Sequence, residues 1–329
     1  MAPIFCQPED ALDVGVEYLQ YKAIQIFSRS LPRLAGYWVS DRISDLFYRG
    51  NKCSRPAIKS NLRRILTFKG EHPPEAELER LARLVFHGVG RNLIDFFYFR
   101  RFTPRVIQRL FRIEGLQHFE QAQALGKGMI AITPHFGCFE LAPAITKALL
   151  GATVFQVVVL PYLDSRAEAL FTKQRLRWGL TPIPMGQAAR LCLDALRKRA
   201  ILGLICDFDF SLRDDRMRFL DGPIRLPLGP ARLAVRTGTP ILPGFVMRRP
   251  DAGYLLRFYP LIIPEKRMPV ECVQEQIVRF LESLVLENPH CWFLFSDVWD
   301  PAWSLEIARQ GSPSALEAAR KKLDSAAGR

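Results

Sequence analysis

Apolar residues recur at helical spacing through the first hundred positions. In "ALDVGVEYLQYKAIQIFSRSL" the apolar set Val14, Val16, Leu19, Ala23, Ile24 and Phe27 follows a 3.6-residue period, and Pro32 stops the run. A second helix is predicted over about 33–50, closing near Gly50, and a third over 56–70. A fourth, over 75–100, is entered through Pro73-Pro74 and is amphipathic through Leu78, Leu81, Leu84, Val85 and Val89. No strand signal interrupts this helical layer.

The period then changes. "GMIAITPHF" (128–136) is a short apolar run that reads as a buried strand, with a helix after it over about 138–150. "TVFQVVVL" (153–160) is a near-continuous apolar strand of the kind found in parallel sheets covered on both faces. A helix over 164–179, the unassigned stretch "TPIPM", a helix over 187–198 and a strand over 201–208 follow. After a polar loop come a helix over 229–237, strands over 240–249 and 254–263, and a helix over 269–287. A short helix is expected beyond Gly311. The alternation predicts an α/β fold with a mixed, mostly parallel sheet flanked by helices and an N-terminal helical layer. The expected regions are 1–110 (helical, membrane-associating), 111–300 (the α/β core) and 301–329 (a helical tail), joined in one integrated domain.

Composition narrows the function. The chain of 329 residues is 49% hydrophobic, ample for a core, and carries a net charge of +13. That excess calls for an anionic partner: nucleic acid, a lipid surface, an acidic carrier protein or a phosphorylated substrate. The seven cysteines form no CxxC pair, and His72, His87, His118 and His290 share no metal spacing, so neither a disulfide framework nor a metal site is expected. No apolar run reaches the ~18 residues of a spanning helix, no signal peptide is read at the N-terminus, and any membrane contact is expected to be peripheral. The stretch from Phe96 to Phe102, interleaved with Arg100 and Arg101, fits either core or a helix lying on an anionic bilayer. Without an RNP, zinc-finger or helix-turn-helix pattern, nucleic acid is not an expected partner.

The candidate chemistry lies in "AITPHFGCFELAP" (131–143). His135 falls at the carboxyl end of the predicted strand, where open α/β sheets put their ligands. Five positions on, Glu140 would stand about 140° away in a continuous helix. The two meet only if His135 precedes the helix on a turn eased by Gly137. A general base held in one tautomer by Glu140 is the expected unit, and a buried core pair is the alternative. No G-x-S-x-G elbow is present, so a base acting on a substrate hydroxyl is favoured over a nucleophile.

"HFGCFEL" resembles the H-x4-D/E motif of glycerolipid acyltransferases, most closely the lauroyl/myristoyl branch of bacterial lipid A biosynthesis acyltransferases, whose usual string is HFGNWE. "NLRRIL" (61–66), "LGLICDFDF", "RFLDGPIRLPLGPARLAVRTGTPILPGFVMRR" and "ENPHCWFLF" run in the family's order over about residues 10–300. The resemblance implies an O-acyltransferase that needs no metal or cofactor. It would use an acyl-carrier-protein or acyl-CoA co-substrate and act on a lipid or glycolipid acceptor at the cytoplasmic face of the inner membrane. It nominates His135 and Glu140 as catalytic. Substrate-site candidates are Asp207 and Asp209 at the end of the 201–208 strand, Arg218, Phe219 and Gly222 in the polar loop, and Gly229, Pro230 and Arg232 opening the next helix. Arg213, Arg216 and Arg225 join Arg218 as a possible phosphate clamp. Cys138 and Phe139 replace Asn-Trp, and Leu228 replaces a Thr. Leu160 stands where the family has an arginine, with Arg166 the candidate to replace it. The terminal basic pair is absent, so the acceptor need not be lipid A. A non-catalytic lipid- or acyl-carrier-binding protein and an acyl thioesterase are the alternatives on the same fold.

Overall fold

The computed structural model describes residues 14–151, 154–209 and 216–300, together with Ala318. Four helices come first: α1 (Val14–Ser30), α2 (Arg33–Gly50), α3 (Ser54–Phe68) and α4 (Glu75–Tyr98). Prolines set two of the starts. Pro32 precedes α2 and Pro74 precedes α4, where Glu75 and Glu77 complement the positive end of the helix. Next come α5 (Pro104–Leu110), β1 (Phe111–Glu114), α6 (Leu116–Ala124), β2 (Met129–Thr133), α7 (Ala142–Leu150), β3 (Phe155–Val159), α8 (Ser165–Arg177) and β4 (Leu180–Pro184). The chain continues through α9 (Ala188–Arg197), β5 (Ile201–Ile205), the hairpin β6 (Arg216–Phe219) and β7 (Gly222–Arg225), α10 (Gly229–Thr237), β8 (Ile241–Arg248), β9 (Tyr254–Phe258) and α11 (Val270–Glu287).

Seven strands form one sheet in the order β1-β9-β8-β2-β5-β3-β4, parallel except where β8 meets β9. The expected mixed, mostly parallel α/β sheet is therefore found. Strand β2 lies in the middle, between β8 and β5, so its carboxyl end opens at the centre of the sheet. Three strand regions differ from expectation. Strand β1 is a four-residue edge strand too short to show a period. The stretch "LTPIP" is strand β4, the opposite edge. Pro182 and Pro184 are two apart, so both missing N–H groups fall on one side, and an edge strand tolerates this on its unpaired side. The polar loop contains the β6–β7 hairpin. The expected tail helix, like Arg213, lies outside the described residues.

Side-chain alternation sorts the core into two layers. Ile130, Ile132, Leu202, Leu204 and Ile241 face α9, α10 and α11, packing with Leu196, Ala231, Ala234 and Ile277. Met129, Phe155, Val157, Leu242 and Leu256 face the other way, toward Phe119 of α6 and Ala144 and Ile145 of α7. The N-terminal helices pack on this body. Helix α4 buries Leu78, Leu81, Val85, Phe86 and Val89 against α3 and against Phe139, Phe293 and Phe295. Phe96 and Phe97 are buried in a cluster with Tyr21, Tyr162 and Phe171, and Phe99 is buried too. The membrane reading of the 96–102 stretch is thus overturned: these aromatics hold α4 to α1 and α8. Helices α1 and α2 carry exposed apolar side chains instead, at Leu19, Ile26, Leu34, Trp38, Leu46 and Phe47.

One buried polar chain joins α2 to the sheet. Tyr37 donates to Asp95, Arg248 of β8 pairs with Asp95 at 2.7 Å and donates to Asn92 Oδ1 at 2.6 Å, and Asn92 Nδ2 donates to Gly137 O at 2.7 Å. Tyr37, Asp95 and Asn92 are buried, so each member depends on the others for its partners. Removing one partner of a buried ion pair costs about 3–5 kcal/mol because the other charge is stranded. Asp95→Ala is therefore expected to lower stability by about that amount. Chemical denaturation would register it as a fall in midpoint with an unchanged slope.

Candidate active site

Strand β2 ends at Thr133, and the chain turns through Pro134, His135, Phe136 and Gly137 into a 3-10 turn, Phe139–Leu141, that leads into α7. Gly137 has φ +56°, and a side chain there would run into the carbonyl of Val246. The turn is clamped from three sides. Phe293 N donates to His135 O at 2.7 Å, Gly137 N donates to Cys291 O at 2.9 Å, and Cys138 N donates to Val246 O at 2.6 Å. The loop carrying His135 thus has its backbone bonds tied into β8 and the 288–295 segment.

The carboxylate that meets His135 is Asp207, not Glu140. Nδ1 of His135 donates to Asp207 Oδ1 at 2.8 Å, and the His135 backbone N–H donates to Oδ2 at 2.8 Å. Trp292 Nε1 supplies a third donor to Oδ2 at 2.8 Å. Asp207 follows β5, the neighbour of β2, and its side chain has no exposed surface. A carboxylate with that donor set fixes the proton on Nδ1 and leaves Nε2 as the acceptor. Phe139 stands edge-on to the imidazole, 5.1 Å between ring centres.

Glu140 has another partner. Arg175 of α8 donates from one guanidinium nitrogen to both its oxygens, at 2.9 and 3.1 Å. The 3-10 turn carries Glu140 away from the imidazole and toward α8. Arg175 is largely buried, packed beside the rings of Phe96 and Phe171. Sequence reasoning missed it. The signal was there: Ala167, Phe171 and Arg175 recur every four residues on the buried stripe of α8, and a charge on an apolar stripe needs a partner.

A cavity of about 990 Å³ opens at this point, with His135, Glu140 and Arg175 in its wall. It also takes in Asp209, Gly229, Pro230 and Arg232 from the sequence candidates. The other four candidates lie elsewhere. Arg166 is half-exposed and pairs with Asp164, the residue that caps α8. Arg218 is exposed on β6 and donates to Leu220 O. Phe219 is buried against Trp292 and Trp299, so it is core. Gly222 lies in the hairpin beneath the Arg64 guanidinium. The expected clamp does not form as a unit, because Arg225 is buried beside Asp209 at 3.4 Å. Cys138 is fully buried and absent from the cavity wall, and burial pushes its thiol up to about 12, so no thiolate stands ready beside His135.

Small residues make the cavity deep. Ala131 and Gly203 are register partners on β2 and β5, Val157 pairs with Gly203, and Gly244 of β8 faces Phe258. Their short side chains leave a floor open beneath α7, walled by Phe155, Leu180, Leu242, Leu256 and Phe258. Among the described residues no helix is long and apolar enough to cross a membrane.

A phosphatidylinositol mannoside acyltransferase of Mycobacterium tuberculosis (strain CDC 1551 / Oshkosh) is 25% identical over 249 residues, 74% of this chain and 76% of the relative. The protein of the same description in strain H37Rv is 24% identical over 248 residues, with the same coverage. The family model for bacterial lipid A biosynthesis acyltransferases matches residues 11–300, nearly the whole described chain. The chain belongs to that family and is an acyltransferase that acts on a lipid or glycolipid.

Proposed function

We propose that the protein moves a fatty acyl chain from an acyl thioester, on coenzyme A or an acyl carrier protein, to a hydroxyl of its lipid acceptor, with His135 as general base. The observation that carries this reading is that His135, bonded to Asp207, stands in the wall of a large, mostly apolar cavity. Nε2 takes the proton of the acceptor hydroxyl. The oxygen attacks the thioester carbonyl, a C–O bond forms, and the tetrahedral oxyanion collapses with rupture of the C–S bond. The imidazolium returns its proton to the departing thiolate. Asp207 stabilises the imidazolium between these steps, and Glu140 supports the site by holding Arg175 in the cavity wall. The mycobacterial relatives act, by their names, on phosphatidylinositol mannosides, which favours a glycolipid acceptor here.

The cavity floor of Ala131, Gly203 and Gly244 suits a fatty chain, and its depth would select chain length. The outward faces of α1 and α2 suit the surface of an anionic membrane. Leu34, Trp38, Leu46 and Phe47 are exposed there beside Arg42 and Arg49. Both acids of the α2 centre turn inward: Asp41 to Arg91 at 2.5 Å and Asp45 to Arg83 at 2.8 Å and His87 at 2.8 Å. The outer face is left apolar and cationic, the composition of an interfacial helix. Acyl thioesters are cytoplasmic donors, so this reading puts the protein peripherally at the cytoplasmic face of the inner membrane.

Three tests follow. His135→Ala should abolish acceptor-dependent thiol release while the circular dichroism spectrum is retained. Asp207→Asn should lower kcat by roughly 10²–10⁴-fold, the range of positioned acid–base catalysis. Full activity in the first variant would refute the base. Rapid hydrolysis unaffected by acceptor would indicate a thioesterase.

Gly203→Val should shift preference toward shorter chains in an acyl-CoA series, since a Cβ there already stands 3.1 Å from Phe155 and Val157. Each methylene refused costs about 0.8 kcal/mol of burial, about fourfold in kcat/KM.

Trp38→Glu with Leu46→Glu should reduce co-sedimentation with phosphatidylglycerol vesicles severalfold. Both side chains are exposed, so the melting temperature should hardly move.

A further inference from the structure

The cavity has two limbs. It wraps the carboxyl ends of β3 and β5 and continues on both faces of the sheet, as alternation requires: Val157, Val159 and Gly203 line it on one face, Val158, Ile132 and Leu204 on the other. The first limb runs under α7 over the small-residue floor. The second lies between α9 and α10, with Ala188, Cys192 and Leu193 on one side and Leu228 and Leu233 on the other. Four arginines line the second limb, Arg190 and Arg197 from α9, Arg232 and Arg236 from α10. One carboxylate of these helices stands among them, Asp194, paired with Arg197 at 3.1 Å.

The placement of these cations works against the helices that carry them. Arg190 and Arg232 fall in the first turns of α9 and α10, where the helix dipole disfavours a positive charge. Arg232 and Arg236 are four apart, the spacing at which like charges repel on one helix face. Arg190 and Arg197 are seven apart and share a face of α9. A bound anion relieves both effects.

We infer that this arginine-lined limb binds the phosphate-bearing pantetheine arm of the acyl donor. The inference rests on the thioester-donor reading above. A thioester carbonyl carries two substituents that must leave the reacting carbon in different directions. One is the hydrocarbon chain, and the other is the arm that ends in phosphate. Two limbs of one cavity, with His135 in its wall, give each its own path. The dry limb suits the chain, and the cationic limb, apolar along its floor, suits the amide-bearing arm and its phosphate. Coenzyme A and an acyl carrier protein present the same arm.

The test uses the purified full chain, its Arg190→Gln/Arg236→Gln variant, and one acyl group carried on coenzyme A or on pantetheine, which lacks phosphate. Wild type should favour the coenzyme A ester, and the variant should lose about tenfold of that preference in kcat/KM, through KM and not kcat. Calorimetry with free coenzyme A should show the same loss of affinity. Equal losses for both donors, no loss for either, or a KM rise confined to a phosphorylated acceptor would overturn the assignment. Phosphate-dependent binding of coenzyme A to a wild type that turns over no thioester would leave this site standing and refute the proposed reaction.

Discussion

Asp207 has no exposed side-chain surface and gives its two oxygens to three N–H groups, from the His135 backbone, the His135 ring and the Trp292 indole. An ionised carboxylate taken out of water is tolerated only when such partners are all in place. Those partners belong to the segment after β2 and to the 288–295 segment, so satisfying one buried charge fixes how the ends of β2 and β5 meet the chain that follows α11. The tautomer of the imidazole is a by-product of that requirement. The imidazole needs no separate device to orient it, because the structure would be destabilised without the same bonds.

A second buried system does related work from the opposite side. Asn92 on α4 holds the carbonyl of Gly137, and Arg248 and Asp95 hold Asn92 and Tyr37. The helical layer is thereby part of the support of the histidine turn as well as a cover for the sheet. Phe139, next to Glu140, packs into the same helical core as Phe86 and Phe295. Helix α2 thus presents apolar and basic side chains outward while its inward tyrosine reaches, through three residues, the loop that carries His135.

Much of the fold was legible because its signals are local. The helices over 33–50, 187–198, 229–237 and 269–287 are bounded by prolines, glycines and clean apolar periods, and they appear where expected within a residue or two. The strands that escaped were the two edges and the hairpin. Four-residue β1 shows no period, and β4 carries two prolines that argue against a strand unless one side of it is unpaired. The site was legible in its position and not in its pairing. The spacing of His135 and Glu140 invited a direct contact, yet the bond partner lies just beyond a different strand, 72 residues on. Which neighbour β2 would take depends on strand order, a non-local property that no local spacing encodes. Arg175 was hidden in the same way, its partner 35 residues before it on a separate element. The aromatic run from Phe96 to Phe102 was ambiguous in principle, since a core face and a lipid face have the same composition, and only packing distinguishes them.

The prolines of β4 have a consequence away from the chemistry. An open sheet ends in strands whose free amide and carbonyl groups can recruit a strand from another molecule, and the hazard grows when a protein is crowded at high local concentration. On this edge Pro182 and Pro184 remove two successive donors from the outward side, so an approaching chain finds an interrupted ladder. The same two residues that obscured the strand in the sequence are what guards its margin against polymerisation.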